Sequence, residues 1–165
     1  MLLHINIDIK ELIYDIQNKT YLTGRSRSDG KNYRQVALMQ ANNDDENLNQ
    51  IMRSIGNAFA KIKVELAEVL TDIVKEGDNT LSTGTESQEL VLEMPDNFNT
   101  AATDSIISAI HQYIVAFSTA EWFMITNKTD TEDYTRLSSS SLEQLRESLC
   151  KRRKPTRAMT NDQLA

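Results

Sequence analysis

The sequence contains little proline, glycine and cysteine. Its 165 residues include 2 prolines, 5 glycines and 1 cysteine. The shortage of turn-forming residues argues against an all-β sandwich and against a collagen-like chain. The cysteine, Cys150, has no partner for a disulfide within these residues, which is typical of a reducing compartment. A chain of this length is expected to form one domain with its own hydrophobic core.

Signals for secretion and for membrane insertion are also lacking. The first residues have no basic region followed by a long apolar region, so they do not resemble a secretory signal. The longest stretch without a charged residue, 105–120, is too short to cross a bilayer. We therefore expect no association with a membrane.

Residues that could support catalysis or bind a metal are few. The chain has 2 histidines, His4 and His111, which lie on different predicted elements. Cys150 and His111 could act as a nucleophile and its base only if the fold brings them into contact. The acidic run at 42–46 lacks the spacing of a calcium loop, and helix capping explains it. The sequence therefore predicts no enzyme, no metal site and no cofactor.

A long amphipathic helix is the strongest element in the sequence. Apolar residues recur at intervals of three and four from Leu48 to Ile73, which is the period of an α-helix. Asn43 or Asp44 can cap its start, and Gly77 can end it. Such a helix exceeds the dimensions of a compact domain of this size. The pattern therefore predicts either a kink or an elongated subunit that packs against neighbours.

Two further long helices are predicted in the second half of the chain. One begins at Asn99 or Thr100 and is apolar on more than one face, which is typical of a helix central to a core or an interface. The other begins at a capping box formed by Thr129 and Glu132, and its serine-rich stretch at 138–141 could kink it. The side chains of this helix expected to face inward are Tyr134, Leu137, Leu142, Leu145 and Leu149.

Two short stretches alternate between apolar and polar residues, which is the period of a β-strand. Their apolar positions are Leu3, Ile5 and Ile7 in the first stretch, and Leu90, Leu92 and Met94 in the second. The two strands could pair with each other or with a neighbouring subunit. The predicted fold class is therefore mainly α: a helical bundle with one long helix, two further long helices and a small β-strand pair or hairpin.

The composition predicts one helical domain over residues 1–154. Its N-terminal part, 1–42, contains the first strand, a short helix and a loop. A stretch rich in serine, threonine and glycine at 77–87 predicts a flexible loop. The residues after the last helix, 155–165, are expected to form an extended tail, because proline ends a helix.

The short N-terminal helix is bounded by local signals. Asp8 and Glu11 resemble a capping box at its start, and it is expected to end near Gly24. The polar and basic residues 25–31 then predict a mobile loop.

Basic residues are concentrated at the C-terminal end of an acidic chain. The net charge of the chain is −6, whereas residues 150–165 hold five basic residues and one acidic residue. The candidate partner-binding residues are Lys151, Arg152, Arg153, Lys154 and Arg157. They could form a solvated terminus, a docking peptide for another protein or a contact with DNA phosphates. The acidic remainder argues against a protein that grips nucleic acid with a whole face.

Aromatic residues of the apolar helix are candidate core or interface residues. They are Tyr113, Phe117, Trp122 and Phe123. Large aromatic side chains contribute strongly to both cores and interfaces, so the sequence leaves both environments open.

The order of features in the second half of the chain resembles a family of phage proteins. The apolar helix ends in the run Ala-Glu-Trp-Phe-Met-Ile-Thr-Asn at 120–127, and a leucine-spaced helix at 142–146 and a basic run ending in proline at 151–155 follow. This order resembles the small helical neck proteins of tailed bacteriophages and prophages of gut bacteria, of the head–tail connector (head-completion or adaptor) type. The resemblance extends to residues 19–24 and 44–47.

The resemblance implies a structural virion protein. Such proteins form a ring, commonly of about twelve subunits, below the portal, where the ring connects the head to the tail and prolongs the DNA channel. The implied partners are the portal protein and other neck or tail proteins, with DNA only as passing cargo. The implied location is the neck of the virion, and the host cytoplasm during assembly.

Two alternatives stay open at this point. One is another virion part of similar size, such as a tail-completion or tail-terminator protein. The other is a cellular helical interaction module.

Overall fold

The computed structural model of the chain describes residues 1–71, 77, 79 and 86–156. The elements follow in the order β1 (Leu2–Asp8), α1 (Ile9–Ser26), α2 (Tyr33–Met39), α3 (Asp45–Glu65), β2 (Ser87–Glu93), α4 (Thr103–Thr126) and α5 (Lys128–Leu149). A 3-10 turn, Thr100–Ala102, precedes α4. The predicted fold class, mainly α with a small strand pair, is confirmed for these residues.

The two strands pair with each other in an antiparallel sheet. Leu3 lies opposite Leu92, and Ile5 lies opposite Leu90. The apolar positions predicted for both strands are at most 9 % exposed. On the other side of β2, Leu70 forms a bridge with Leu92. The strand partner that the sequence left open is therefore in the same subunit.

Helix α4 lies at the centre of the bundle, with α1, α3 and α5 packed against it. Helix α5 runs antiparallel to α4, since Ser105 Oγ near the start of α4 lies 2.8 Å from Ser148 Oγ near the end of α5. The buried residues of α5 are Asp130, Ser138, Ser141, Leu145 and Ser148. The small serines let α5 approach α4 closely. They also leave Leu145 as the one large apolar side chain among the buried residues of α5.

Helix α3 is shorter than predicted. It begins at Asp45, with Asp44 as its N-cap residue, in agreement with the sequence prediction. However, it ends at Glu65 rather than near Gly77. The prediction of a helix too long for a compact domain is therefore wrong, and so is the argument from its length for an elongated subunit.

The apolar residues that follow α3 keep the helical spacing although they are not helical. They contact the same core from a turn and a short extended segment. After Leu66 the chain turns and runs beside β2, where the Thr71 amide donates to the Val91 carbonyl at 2.9 Å. Leu66 is fully buried, and Val69 and Leu70 pack against the core. Spacing alone did not distinguish this turn and bridge from another helical turn.

Helix α1 is longer than predicted. The Asp8 side chain caps its start by accepting a hydrogen bond from the Lys10 amide at 2.7 Å. The helix continues to Ser26, so the first two residues of the predicted basic loop are helical. Gly24 serves packing rather than helix termination, because a Cβ there would lie 3.2 Å from the Val36 carbonyl oxygen.

Helix α5 begins earlier than predicted and continues through its serines. Its N-cap is Asn127, whose side chain accepts a hydrogen bond from the Thr129 amide at 3.2 Å. Ser138 and Ser141 donate to carbonyl oxygens of the preceding turn, and the stretch between them remains helical. Leu137, predicted to face inward, is 53 % exposed.

Two predicted segments lie largely outside the described residues. Most of the loop predicted at 77–87 is outside them, and the tail predicted at 155–165 is described only at residues 155 and 156. Arg157 lies outside the described residues as well. The predictions for these segments stay predictions.

Candidate functional site

The basic segment, defined as residues 151–154, is attached to the core through its backbone. It runs antiparallel to residues 97–99, and the Arg153 amide donates to the Asn97 carbonyl at 2.8 Å. Phe98, which forms the β-bridge with Arg152, is fully buried. The backbone that carries the four basic side chains therefore has a defined position. No sequence pattern predicted this pairing.

The Arg152 side chain closes the end of α5. Its Nη1 atom donates to the carbonyl oxygens of Leu149, at 2.7 Å, and Lys151, at 3.2 Å. Cations near the last carbonyls of a helix stabilise it through hydrogen bonds and the helix dipole. This local role accounts for Arg152. It does not account for the side chains of Lys151, Arg153 and Lys154, which are exposed.

The four aromatic residues of α4 fall into two groups. Phe123 is fully buried, and Trp122 is 8 % exposed with its Nε1 atom donating to the Met39 carbonyl at 2.8 Å. These two residues belong to the core. Tyr113 and Phe117 stack on each other with ring centroids 5.8 Å apart, and Phe117 is only half-buried. Burial raises the pKa of the Tyr113 hydroxyl.

A groove between α3 and α5, the α3–α5 groove, exposes part of this stacked pair. It consists of two depressions of about 470 and 380 Å³, and both are lined by Lys61 and Leu142. The Lys61 Nζ atom lies 4.3 Å from the Phe117 ring centroid, within cation–π distance. Nearby, Arg146 on α5 donates two hydrogen bonds of 2.8 and 2.9 Å to Glu65 on α3, which raises the pKa of Arg146.

A second groove, the α1–α5 groove, lies on the other flank of α5. Its volume is about 750 Å³, and α4 forms its floor. The apolar part of its lining includes Ile107, Val115 and Leu137. The polar part includes His111, whose Nε2 atom lies 2.7 Å from Asp15 Oδ2. Helix α5 therefore has a groove on each flank, and the two grooves present different side chains.

A polar cluster ties α1 to the start of α5. Asp130, which is 3 % exposed, accepts hydrogen bonds from the side chains of Arg27 and Asn127. The hydrogen bond and the charge of Asp130 raise the pKa of the Arg27 guanidinium. One turn away, Thr23 Oγ1 lies 2.8 Å from the Tyr134 hydroxyl. These contacts hold the two walls of the α1–α5 groove together.

The candidate nucleophile and its candidate base lie in different parts of the molecule. Cys150 is exposed at the end of α5, whereas His111 faces Asp15 in the α1–α5 groove. Among the described residues, no cluster of three or more His, Cys, Asp or Glu side chains could hold a metal ion. In the same part of the chain, no helix is both long and apolar enough to cross a bilayer.

Sequence reasoning located the basic segment and the aromatic residues, but it missed both grooves and the Asp130 cluster. One signal for the grooves was available. Ser138, Ser141, Leu145 and Ser148 recur at helical intervals on α5, and a face of small residues indicates a helix packed closely on its neighbour. The larger apolar residues on either side of that face, Leu137 and Leu142, indicate the positions of the two grooves.

No protein-family model, curated protein or solved structure matches this chain.

Proposed function

We propose that this protein is a structural connector in the neck of a tailed bacteriophage. It forms a ring below the portal, joins the head to the tail and prolongs the DNA channel. The observation that carries the proposal is the pair of different grooves on opposite flanks of α5. The sequence resemblance at residues 97–157 supports the same function.

Helix α5 is only partly covered by its own subunit. Leu137 on one flank is 53 % exposed, and Leu142 on the other flank is half-buried. Burial of apolar surface contributes about 25 cal/mol per Å². A neighbour on each flank would therefore add stabilisation that the isolated subunit lacks.

Two different grooves favour a head-to-tail contact between copies. An isologous contact uses the same surface on both subunits, whereas a head-to-tail contact uses two different surfaces and closes into a ring when the rotation between subunits allows it. The α1–α5 groove is lined by Asp15, Asp104 and Lys19, while the α3–α5 groove is lined by Lys61, Glu65 and Glu121. Each groove carries charges of both signs, so charge by itself does not select which flanks meet.

The basic segment supports a second contact, with the portal. Its backbone is paired with residues 97–99, so part of the entropy cost of binding is already met in the free subunit. The exposed cations Lys151, Arg153 and Lys154 then suit an acidic surface on a neighbouring neck protein. The net charge of −6 fits DNA as passing cargo, because a negative surface repels phosphates and does not retain them.

Substitution of Leu137 by Asp should prevent ring formation and leave the subunit folded. The side chain is exposed in the subunit, so a charge there costs little stability. In a ring contact the same charge would be buried without a partner, which is strongly unfavourable. Sedimentation velocity and negative-stain electron microscopy of the protein, alone and mixed with portal, measure ring formation.

The matched control is Leu38 on α2, which is 69 % exposed and lies outside both grooves. Leu38→Asp should assemble as the unsubstituted protein does. Rings of normal size from Leu137→Asp would contradict the assigned contact. A protein that stays monomeric and binds no portal would contradict the connector function and favour a cellular interaction module.

Reversal of two charges in the basic segment should weaken attachment to the portal. The double variant Arg153→Glu with Lys154→Glu changes exposed side chains and keeps the backbone pairing. We expect the dissociation constant for portal to rise by at least about tenfold, with a weaker dependence on salt. Co-sedimentation with portal at several salt concentrations measures the effect.

The control for this variant is Lys31→Glu with Lys128→Glu, which makes the same charge change at two exposed positions outside the basic segment. Equal loss of portal binding in both double variants would mean that total charge matters and the segment does not.

A further inference from the structure

The direction of the backbone groups in β1 follows from its pairing with β2. The Met94 amide donates to the Met1 carbonyl at 2.8 Å, and the Ile9 amide donates to the Glu86 carbonyl at 3.0 Å. In an antiparallel ladder, residues alternate between hydrogen-bonded and non-hydrogen-bonded pairs. The odd-numbered residues of β1 therefore direct their backbone groups toward β2.

The even-numbered residues direct theirs toward the outer edge of the sheet. Leu2, His4 and Asn6 thus present backbone N–H and C=O groups to which no described residue is paired. Edge strands in soluble proteins are usually protected by proline, lysine or a bulge. The sequence of β1, Leu-Leu-His-Ile-Asn-Ile-Asp, has neither proline nor lysine, and its register with β2 is continuous. Leu2 at this edge is 58 % exposed.

We propose that the outer edge of β1 pairs with the same edge of a second copy of this chain. The two strands run antiparallel, with Ile5 opposite the partner's Ile5. In this register Leu3 lies opposite the partner's Ile7, and His4 opposite the partner's Asn6. The two sheets, each of two strands, become one continuous sheet of four strands.

The pattern of β1 is complementary to itself in this register. The apolar positions of the two strands meet on one face, where each strand already covers the core of its own subunit. The charged residue of the strand, Asp8, lies opposite the partner's Leu2, so no like charges face each other across the contact. His4 is paired within the chain with Glu89 at 2.9 Å, so its ring does not compete for the edge.

This contact goes beyond the proposed connector function. It uses β1, whereas the proposed ring uses the two flanks of α5. A dimer through β1 can therefore form in the free protein whether or not that protein enters a ring. The β1 contact and the ring contact can be disproved independently of each other.

Asn6→Pro tests the contact selectively. Proline removes the Asn6 N–H group, which points away from β2, so the pairing within the chain is kept. Because the contact is twofold, one substitution removes two hydrogen bonds between the copies. We expect the dissociation constant of the dimer, measured by sedimentation equilibrium, to rise by at least about tenfold. Asn6→Thr is the matched control, since threonine keeps the N–H group and favours strands.

Hydrogen exchange of the unsubstituted protein gives a second measurement that does not depend on the variant. The amides of His4 and Asn6 should exchange slowly at high protein concentration and rapidly on dilution, while the Ile5 and Ile7 amides stay protected at both. A protein that is monomeric at all concentrations would overturn the proposal. So would a dimer that Asn6→Pro leaves intact, or edge amides whose protection does not change with concentration.

Discussion

Replacement of Phe123 by Ala should lower the free energy of unfolding by about 3–5 kcal/mol. Phe123 is fully buried in α4, and its ring centroid lies 5.4 Å from that of Tyr134 on α5. The truncation leaves a cavity between the two helices and removes an aromatic contact between them. Urea unfolding followed by circular dichroism measures the loss, provided that the midpoint shifts and the slope stays the same.

The neighbouring Met124 is the control, because it is 58 % exposed on the same helix. Met124→Ala should change the free energy of unfolding by less than about 0.5 kcal/mol. If Phe123→Ala unfolds at the same urea concentration as the unsubstituted protein, Phe123 is not buried in the core between α4 and α5.

Replacement of Asp130 by Ala should lower the free energy of unfolding by about 2–3 kcal/mol. The carboxylate is 3 % exposed and accepts hydrogen bonds from Arg27 and Asn127. Its loss leaves Asn127, which caps α5, without one of its partners and disconnects α1 from the start of α5. The Arg27 guanidinium is half-exposed and regains water, so the effect is smaller than for a fully buried ion pair.

Asp133→Ala is the matched control, because Asp133 is an exposed acid on the next turn of α5. It should leave stability within about 0.5 kcal/mol of the unsubstituted protein. Asp130→Asn keeps the shape of the side chain and loses its charge. Its free energy of unfolding should lie between those of Asp130→Ala and Asp133→Ala. Equal stability of Asp130→Ala and Asp133→Ala would contradict a structural role for the cluster.

The strands and the helical character of this chain were predictable because their signals are local. Alternation at Leu3, Ile5 and Ile7 predicts a strand with one buried face whatever lies opposite it. The apolar character of α4 on more than one face likewise predicted a central helix, and α4 is the helix against which the others pack.

Helix ends were less predictable, because apolar spacing reports contact with a core and not the conformation that reaches it. Leu66, Val69 and Leu70 continue the spacing of α3, yet the chain has already turned to run beside β2. Gly24 resembled a helix stop, but its position is set by the close approach of Val36 on α2. The end of α3 and the role of Gly24 both depend on contacts with other elements, which the local sequence does not specify.

For the candidate site as well, the sequence identified the residues but did not predict where the fold places them. The basic residues 151–154 and the aromatic residues of α4 were visible in the sequence as unusual composition. The assignment of Phe123 to the core and Phe117 to a groove wall was not visible, because it depends on where α3 and α5 cross α4.

The sequence by itself determined the helical class, the two amphipathic strands, the acidic charge and the basic segment, since each is a property of neighbouring residues. Only the tertiary structure decided that β1 pairs with β2, that the basic segment is paired with residues 97–99, and that α5 has a groove on each flank. The physical reason is that pairing and grooves arise between elements far apart in the chain. Hydrophobic burial favours many such arrangements, and packing together with backbone hydrogen bonding selects one of them.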